Sequence, residues 1–179
     1  AGAVGSVVGQ IAKLLGCRVI GIAGSDEKVE LLKSKFGFDE AINYKTTNDM
    51  TQAIKDAAPN GVDVYFDNVG GEISDAVLFN INKFGRIPVC GTISSYNATE
   101  PAMGPRLQWI LVKNSVLMQG FIVSNYAAEF PEAISQLTTW FKEGKLTYTE
   151  TVVHGFDNIP RAFIDLFEGK NEGKMIVKI

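Results

Sequence analysis

The chain has 179 residues, 46% of them apolar, and a formal net charge of −3. That supports a sizeable buried core, in one large domain or a domain with an appended part, and excludes a disordered chain. The acidic balance argues against a general nucleic-acid binder, and the 17 basic residues read as solvated helix faces. No apolar run reaches membrane-spanning length and no signal-peptide pattern is present. Two cysteines, Cys17 and Cys90, lie in apolar, strand-like runs and are expected to be buried, reduced thiols in a cytoplasmic setting.

The first nine residues, Ala1-Gly2-Ala3-Val4-Gly5-Ser6-Val7-Val8-Gly9, run into an apolar helix that stops at Gly16. Residues 18–23 are short and β-branched and read as a buried parallel strand. Ser25 is placed to cap the next helix, with Asp26 and Glu27 in its first turn and Val29, Leu32 and Phe36 on one face. A short strand follows at 40–43. A helix starting at Thr47 or Asn48 carries Met50 and Ile54 one turn apart and ends before Pro59-Asn60-Gly61. Residues 62–66 form the next strand, and Ile73, Val77 and Ile81 predict a further amphipathic helix. Residues 85–90 read as a strand despite Pro88, which must sit where no ladder donor is needed. The stretch 94–114 breaks this rhythm and looks like a lid or an interface excursion. A strand at 116–123 precedes a long helix at 127–143, with Phe130, Ile134, Leu137 and Phe141 on one stripe and Gly144 as its stop. The tail reads as a strand at 149–153, a helix at 157–168 with Pro160 in its first turn, and a strand at 175–179.

Strand–helix repetition of this kind implies a parallel sheet with right-handed crossovers. The glycines at 2, 5 and 9 then have assigned tasks in a dinucleotide-binding turn. One lets the chain turn, one lets the backbone approach a pyrophosphate, and one lets helix and strand pack closely. The helix N-terminus adds unpaired N–H groups and a positive dipole end. The competing reading is that all three serve packing alone. Such a loop follows a strand in a complete fold, so a first strand and an N-terminal half are expected to be missing.

The tip of the second strand selects the cofactor. An acid there holds the ribose hydroxyls of NAD, whereas NADP calls for a cation. Here the tip is Ala23-Gly24-Ser25, with Lys28 one turn on, which favours NADP. Asp26 and Glu27 oppose a phosphate unless they serve as helix-dipole partners, and Lys28 could equally be an exposed helix lysine. Asp67 and Asn68 lie at the end of the fourth strand, at the cofactor crevice, or else form a turn and helix cap. Tyr96, in the run after the fifth strand, is either a donor to a substrate oxygen or an ordinary loop tyrosine. His154, the single histidine, reads as a structural or surface residue, and no Cys/His/Asp cluster has metal-ligand spacing.

Together these motifs resemble the zinc-independent branch of the medium-chain dehydrogenase/reductase superfamily, in its prostaglandin reductase, plant double-bond reductase and bacterial curcumin reductase group. The matching stretches are the loop 2–10, Gly24-Ser25-Asp26-Glu27-Lys28, Asn43-Tyr44-Lys45, Tyr65-Phe66-Asp67-Asn68-Val69-Gly70-Gly71, residues 85–91, Ser95-Tyr96-Asn97 and Gly173-Lys174. The resemblance covers essentially the whole chain and corresponds to the C-terminal, cofactor-binding part. It implies NADPH-dependent reduction of the carbon–carbon double bond of enones and enals. Gly2, Ala3, Val4 and Gly5 would hold the pyrophosphate, and Lys28 and Tyr44, with Ser25, the adenosine phosphate. Asn68, the run Cys90-Gly91-Thr92 through Tyr96, and Phe121-Ile122-Val123 would line the ribose and nicotinamide, with Asn171 reaching in from the tail. Tyr96 is the catalytic candidate. Lys113 stands where prostaglandin reductases carry a substrate-facing tyrosine, which favours the curcumin-reductase-like branch.

The expected architecture is thus a doubly wound α/β (Rossmann) sheet lacking its first strand, with a strand–helix–strand tail that belongs to an absent catalytic domain. Residues 1–147 form the dinucleotide-binding domain and 148–179 the tail. The expected partners are a small enone or enal and, when intact, a second copy of the chain, with no nucleic acid, membrane or metal. A quinone reductase of the same superfamily and a silent nucleotide-binding fragment are the alternatives. The chain by itself is expected to be inactive.

Overall fold

The computed structural model describes residues 1–179. In chain order the elements are α1 (Ala3–Leu14), β1 (Ile20–Ala23), α2 (Asp26–Ser34), β2 (Glu40–Asn43), α3 (Met50–Ala57), β3 (Val62–Val64), α4 (Gly71–Leu78), β4 (Ile81–Val89), α5 (Gln108–Asn114), β5 (Leu117–Gly120), α6 (Phe130–Lys142), β6 (Glu150–His154), α7 (Ile159–Phe167) and β7 (Lys174–Lys178). Three sheets form, β1-β2, β3-β4-β5 and β6-β7, and every strand pair in them is parallel. Parallel neighbours need a helical crossover, which α2, α4, α5 and α7 supply. The fold is the α/β, Rossmann type read from the strand–helix alternation. The chain divides into two compact units, residues 1–46 with 132–179, and residues 47–131.

In the first unit Val19, Ala23, Leu32, Phe36 and Phe38 form the core, with Ala12, Val29 and Ala41 packed on it. The helix α1 crosses this core at Gly9. A Cβ there would fall inside the Phe38 ring, so the third glycine of the loop has the packing role expected of it. α1 ends as read, with Gly16 at φ +82 and its N–H on Lys13 O. Ser25 caps α2, accepting from Lys28 N at 3.3 Å. Strand β2 has the bounds read from sequence.

The second unit buries Leu78, Ile81, Ile87 and Ile110, with Val62, Tyr65, Val89 and Leu111 around them. Its α3 is capped by Asp49, whose carboxylate accepts from Gln52 N at 2.9 Å, rather than by Thr47 or Asn48. Ile81 is not a helix residue. The chain leaves α4 at Leu78 and Ile81 opens β4, its helical spacing from Val77 being coincidental. Strand β3 stops at Val64, short of Phe66, because the β3–β4 register shifts. Pairing resumes with Tyr65 N on Arg86 O and Asp67 N on Pro88 O. Pro88 therefore stays in a central strand by accepting, with no N–H to give. The excursion at 94–114 is only partly irregular, since its end forms α5 and seats Ile110 in the core.

The long helix read at 127–143 starts later, at Phe130, after a 3-10 stretch at Val123–Glu129. Pro131 in its first turn has no N–H for a preceding helical turn. The helix read at 157–168 likewise begins with a 3-10 turn, Phe156–Asn158, before α7. Both cysteines are free and exposed, contrary to the expectation of burial. Cys17 falls in the turn after Gly16 and Cys90 lies one residue beyond β4, so neither side chain joins a sheet face.

Candidate functional site

In the first unit the site is built at the C-terminal ends of β1 and β2. Gly2 is the N-cap of α1, and no side chain caps that helix and no acid stands in its first turn. Its first-turn N–H groups have no intrahelical acceptor. The Cβ directions of Gly2 and Gly5 meet nothing within 4 Å. Open backbone at a helix N-terminus is what close approach of a phosphate requires, so this loop fits a pyrophosphate.

At the tip of β1, Gly24 lies under Tyr44. A Cβ on Gly24 would come within 2.9 Å of the Tyr44 hydroxyl, so the ring reaches over the strand end only because residue 24 lacks a side chain. Lys28, half-buried on the first turn of α2, donates from Nζ to the Gly169 carbonyl. Burial lowers its pKa, the neighbouring Lys45 lowers it further, and the Glu172 carboxylate acts against both. Lys28 and Lys45 together place two positive charges at the ends of β1 and β2, where an anionic group would be attracted. Lys45 lies in the matching stretch Asn43-Tyr44-Lys45 but carries no role in the sequence reading. Its signal was its place next to Tyr44 at the end of β2.

The two acids in the first turn of α2 keep their charge and are engaged locally. Asp26 accepts from Asn43 Nδ2 at 2.7 Å. Glu27 is held below the usual carboxylate range by its own backbone N–H and by the Ser25 hydroxyl. Both lie in the first turn of α2, where the helix dipole favours a negative charge. Ser25 is used by the helix cap and by Glu27. Asn171 is buried in the turn before β7, its amide donating to Gly173 O at 2.8 Å.

In the second unit one buried carboxylate organises the rim. Asp67, 1% exposed, accepts through Oδ1 from Tyr65 Oη at 3.0 Å, Val69 N at 2.9 Å and Gly70 N at 2.8 Å. Burial and this charge push the Tyr65 phenol up. The carbonyl of Asp67 accepts from Cys90 N at 2.7 Å and Gly91 N at 3.2 Å. Of the two readings for Asp67, the turn-and-cap role is the one its contacts express. Asn68 O accepts from Ile93 N, and Ser94 Oγ donates to Val69 O at 2.5 Å, so the strands leading to residues 68 and 90 present their ends together. Tyr96 is 58% exposed, and its hydroxyl oxygen accepts from Thr92 N at 3.3 Å, which leaves the phenolic proton for another acceptor. Phe121 N donates to Val89 O, and its ring stands edge-on to Phe66 and Tyr126 at 6.1 and 6.0 Å, while Ile122 and Val123 are exposed. Lys113 lies over the Trp109 ring at 5.8 Å.

His154 ends β6, exposed, its carbonyl accepting from Asn158 Nδ2, in keeping with the surface role read for it. No helix is long and apolar enough to cross a membrane.

Comparison with known proteins adds a family. Residues 3–139 match the family described as zinc-binding dehydrogenase. The chain is 61% identical over 181 residues to YfmJ of Bacillus subtilis (strain 168), covering 100% of this chain and 53% of that protein. It is 53% identical to prostaglandin reductase 1 of Sus scrofa, covering 99% of this chain and 54% of the relative. Among solved structures, the crystal structure of CurA from Vibrio vulnificus in complex with NADPH superposes with a TM-score of 0.94 at 47% identity, over 99% of this chain and 54% of that one. The chain thus spans about half the length of the relatives it matches. No three His, Cys, Asp or Glu side chains are grouped so as to hold a metal ion. The chain belongs to the zinc-binding dehydrogenase family, in the zinc-independent prostaglandin reductase, alkenal reductase and curcumin reductase group of the medium-chain dehydrogenase/reductase superfamily.

Proposed function

We propose that the chain is the NADP(H)-binding half of an oxidoreductase that reduces the carbon–carbon double bond of α,β-unsaturated aldehydes and ketones. The observation that carries the cofactor choice is the acid-free tip of β1, with Lys28 and Lys45 in electrostatic range of each other and Tyr44 over Gly24. The activity is supported by similarity to proteins whose names state it, prostaglandin reductase 1 among them. Gly2, Ala3, Val4 and Gly5 hold the pyrophosphate. Ser25, Lys28 and Tyr44 hold the adenosine phosphate. Asn68, Cys90, Gly91, Thr92, Tyr96, Phe121, Ile122 and Val123 serve the ribose and nicotinamide, with Asn171 contributing from the tail. Residues 1–147 act as the dinucleotide-binding domain, and 148–179 pack on the remainder of a longer protein. The substrate is a small enone or enal, and the intact protein is a cytoplasmic homodimer.

When bound, the cofactor supplies a hydride to the β-carbon of the substrate. Negative charge would then develop on the carbonyl oxygen, where a donor lowers the barrier, and a proton delivered from solvent to the α-carbon would complete the reduction. Tyr96 fits that task. Its oxygen accepts from the Thr92 N–H, which leaves the phenolic proton free to be donated to a substrate oxygen. The test is turnover of an enone and of a quinone by the full-length protein, with NADPH and NADH compared. Enone reduction preferring NADPH is expected. Quinone turnover alone would assign a quinone reductase, and tight NADPH binding with no turnover of either would assign a silent binding domain. Residues 1–179 expressed alone should bind nucleotide without reducing the enone.

A further inference from the structure

We propose that the turn 169–173, between α7 and β7, is a cofactor-specificity element: it holds the Lys28 ammonium in place for the adenosine phosphate, and Thr151 is the positioning residue that locks it. The inference rests on the cofactor reading above.

A lysine is a point charge on a long flexible stem, so it discriminates well only when something else fixes it. Here the carbonyl of Gly169 accepts one of the three Nζ protons. A neutral carbonyl orients the group without cancelling its charge, and two protons remain for a ligand. The turn is in turn secured at three places. Thr151 Oγ1 donates to Glu172 O at 3.0 Å and accepts from Glu172 N at 2.9 Å, so one hydroxyl satisfies both backbone groups of one turn residue. Asn171 Nδ2 closes the turn on Gly173 O. Gly173, at φ +63, donates from N to Ala1 O at 2.9 Å and pairs in parallel with Gly2, and a Cβ on it would collide with the Thr149 carbonyl. The same five residues therefore brace the first residues of the pyrophosphate loop and the phosphate cation, although they lie more than 140 positions from Lys28. Their geometry explains why the tail, remote in sequence, carries glycines at 169 and 173. Gly169 also has a positive φ of +68.

The test is a double-mutant cycle in the full-length protein, read as dissociation constants for NADPH and NADH by fluorescence titration. Thr151→Val keeps the β-branched shape and removes both hydrogen bonds. NADPH binding should weaken about fivefold, the scale of a lost neutral hydrogen bond, with NADH changed less than about twofold. Thr151→Ala should give the same split without the added methyl, and Thr151→Ser should restore the wild-type preference. In a Lys28→Ala background the Thr151 substitutions should add nothing. Equal losses for the two cofactors, or losses that add to that of Lys28→Ala, would overturn the proposal. A Lys28→Ala variant that keeps its NADPH preference would instead overturn the cofactor reading, and this proposal with it.

Discussion

In the first unit the residues proposed to meet the adenosine phosphate and the pyrophosphate are held by several small contacts, some between elements far apart in sequence. Lys28 bonds Gly169, Thr151 bonds Glu172, and Gln10 exchanges hydrogen bonds with the backbone of Thr147 at 3.0 and 2.8 Å. In the second unit the rim depends on one buried carboxylate, Asp67, which accepts three donors through a single oxygen. A distributed network degrades gradually and loses specificity first. A concentrated one fails together, because each orphaned buried donor costs its own desolvation. The comparison predicts a folding defect from a change at Asp67 and a recognition defect from a change at Lys28.

The largest expected effect is therefore at Asp67. Asp67→Ala should lower the unfolding free energy by about 4 kcal/mol, as three donors lose their acceptor, whereas Asp67→Asn keeps Oδ1 and should cost about 1 kcal/mol. Urea unfolding of both variants checks this, and equal losses would mean that the negative charge, not the acceptor geometry, matters. Next is Lys28→Ala, which should weaken NADPH by about 2 kcal/mol, the scale of a charge-assisted contact, while leaving NADH and the urea midpoint nearly unchanged. Parallel losses in both cofactors would remove the contrast between the units. Tyr96→Phe should slow the single-turnover reduction of an enone about tenfold and alter NADPH affinity by less than about twofold. An unchanged single-turnover rate would leave Tyr96 as a loop residue.

The smallest effect concerns a surface pair of the first unit. Lys13 Nζ sits 2.7 Å from Asp39, and Val19 N donates to the same carboxylate. Both hold the Asp39 carboxyl below its usual range, the lysine hydrogen bond most strongly. A depressed carboxyl pKa stabilises the fold above the unfolded value, near pH 4, and that contribution fades as pH falls through the lower folded value. Asp39→Asn should remove about 0.5 kcal/mol at pH 7 and flatten the pH dependence of stability below about pH 4, measured by urea midpoints across pH.

Much of the frame was legible along the chain. The bounds of β2, the Ser25 cap, the stop at Gly16 and Pro160 at a helix start are local matters, set by backbone chemistry and by the period of apolar residues. Local signals misled where two patterns overlapped. Ile81 keeps helical spacing from Val77 yet opens a strand, and Asp49 out-competed Thr47 and Asn48 as a cap by the direction of its carboxylate. The cysteines read as buried because apolar runs surround them, but burial depends on which face a residue presents, and Cys17 follows the end of α1 while Cys90 falls just outside β4.

For the site, the sequence by itself determined the glycine loop, the acid-free strand tip and the candidate residues Lys28, Tyr44 and Tyr96, because each belongs to a short contiguous motif. Only the tertiary structure decided what those residues touch. It set Lys45 against Lys28, tied Asp26 to Asn43, made Asp67 a structural acceptor and brought the 169–173 turn to Lys28. Contacts between neighbouring strand ends, or between Lys28 and a turn 141 positions away, leave no periodicity in the chain, since they arise from how parallel strands and their crossovers stack.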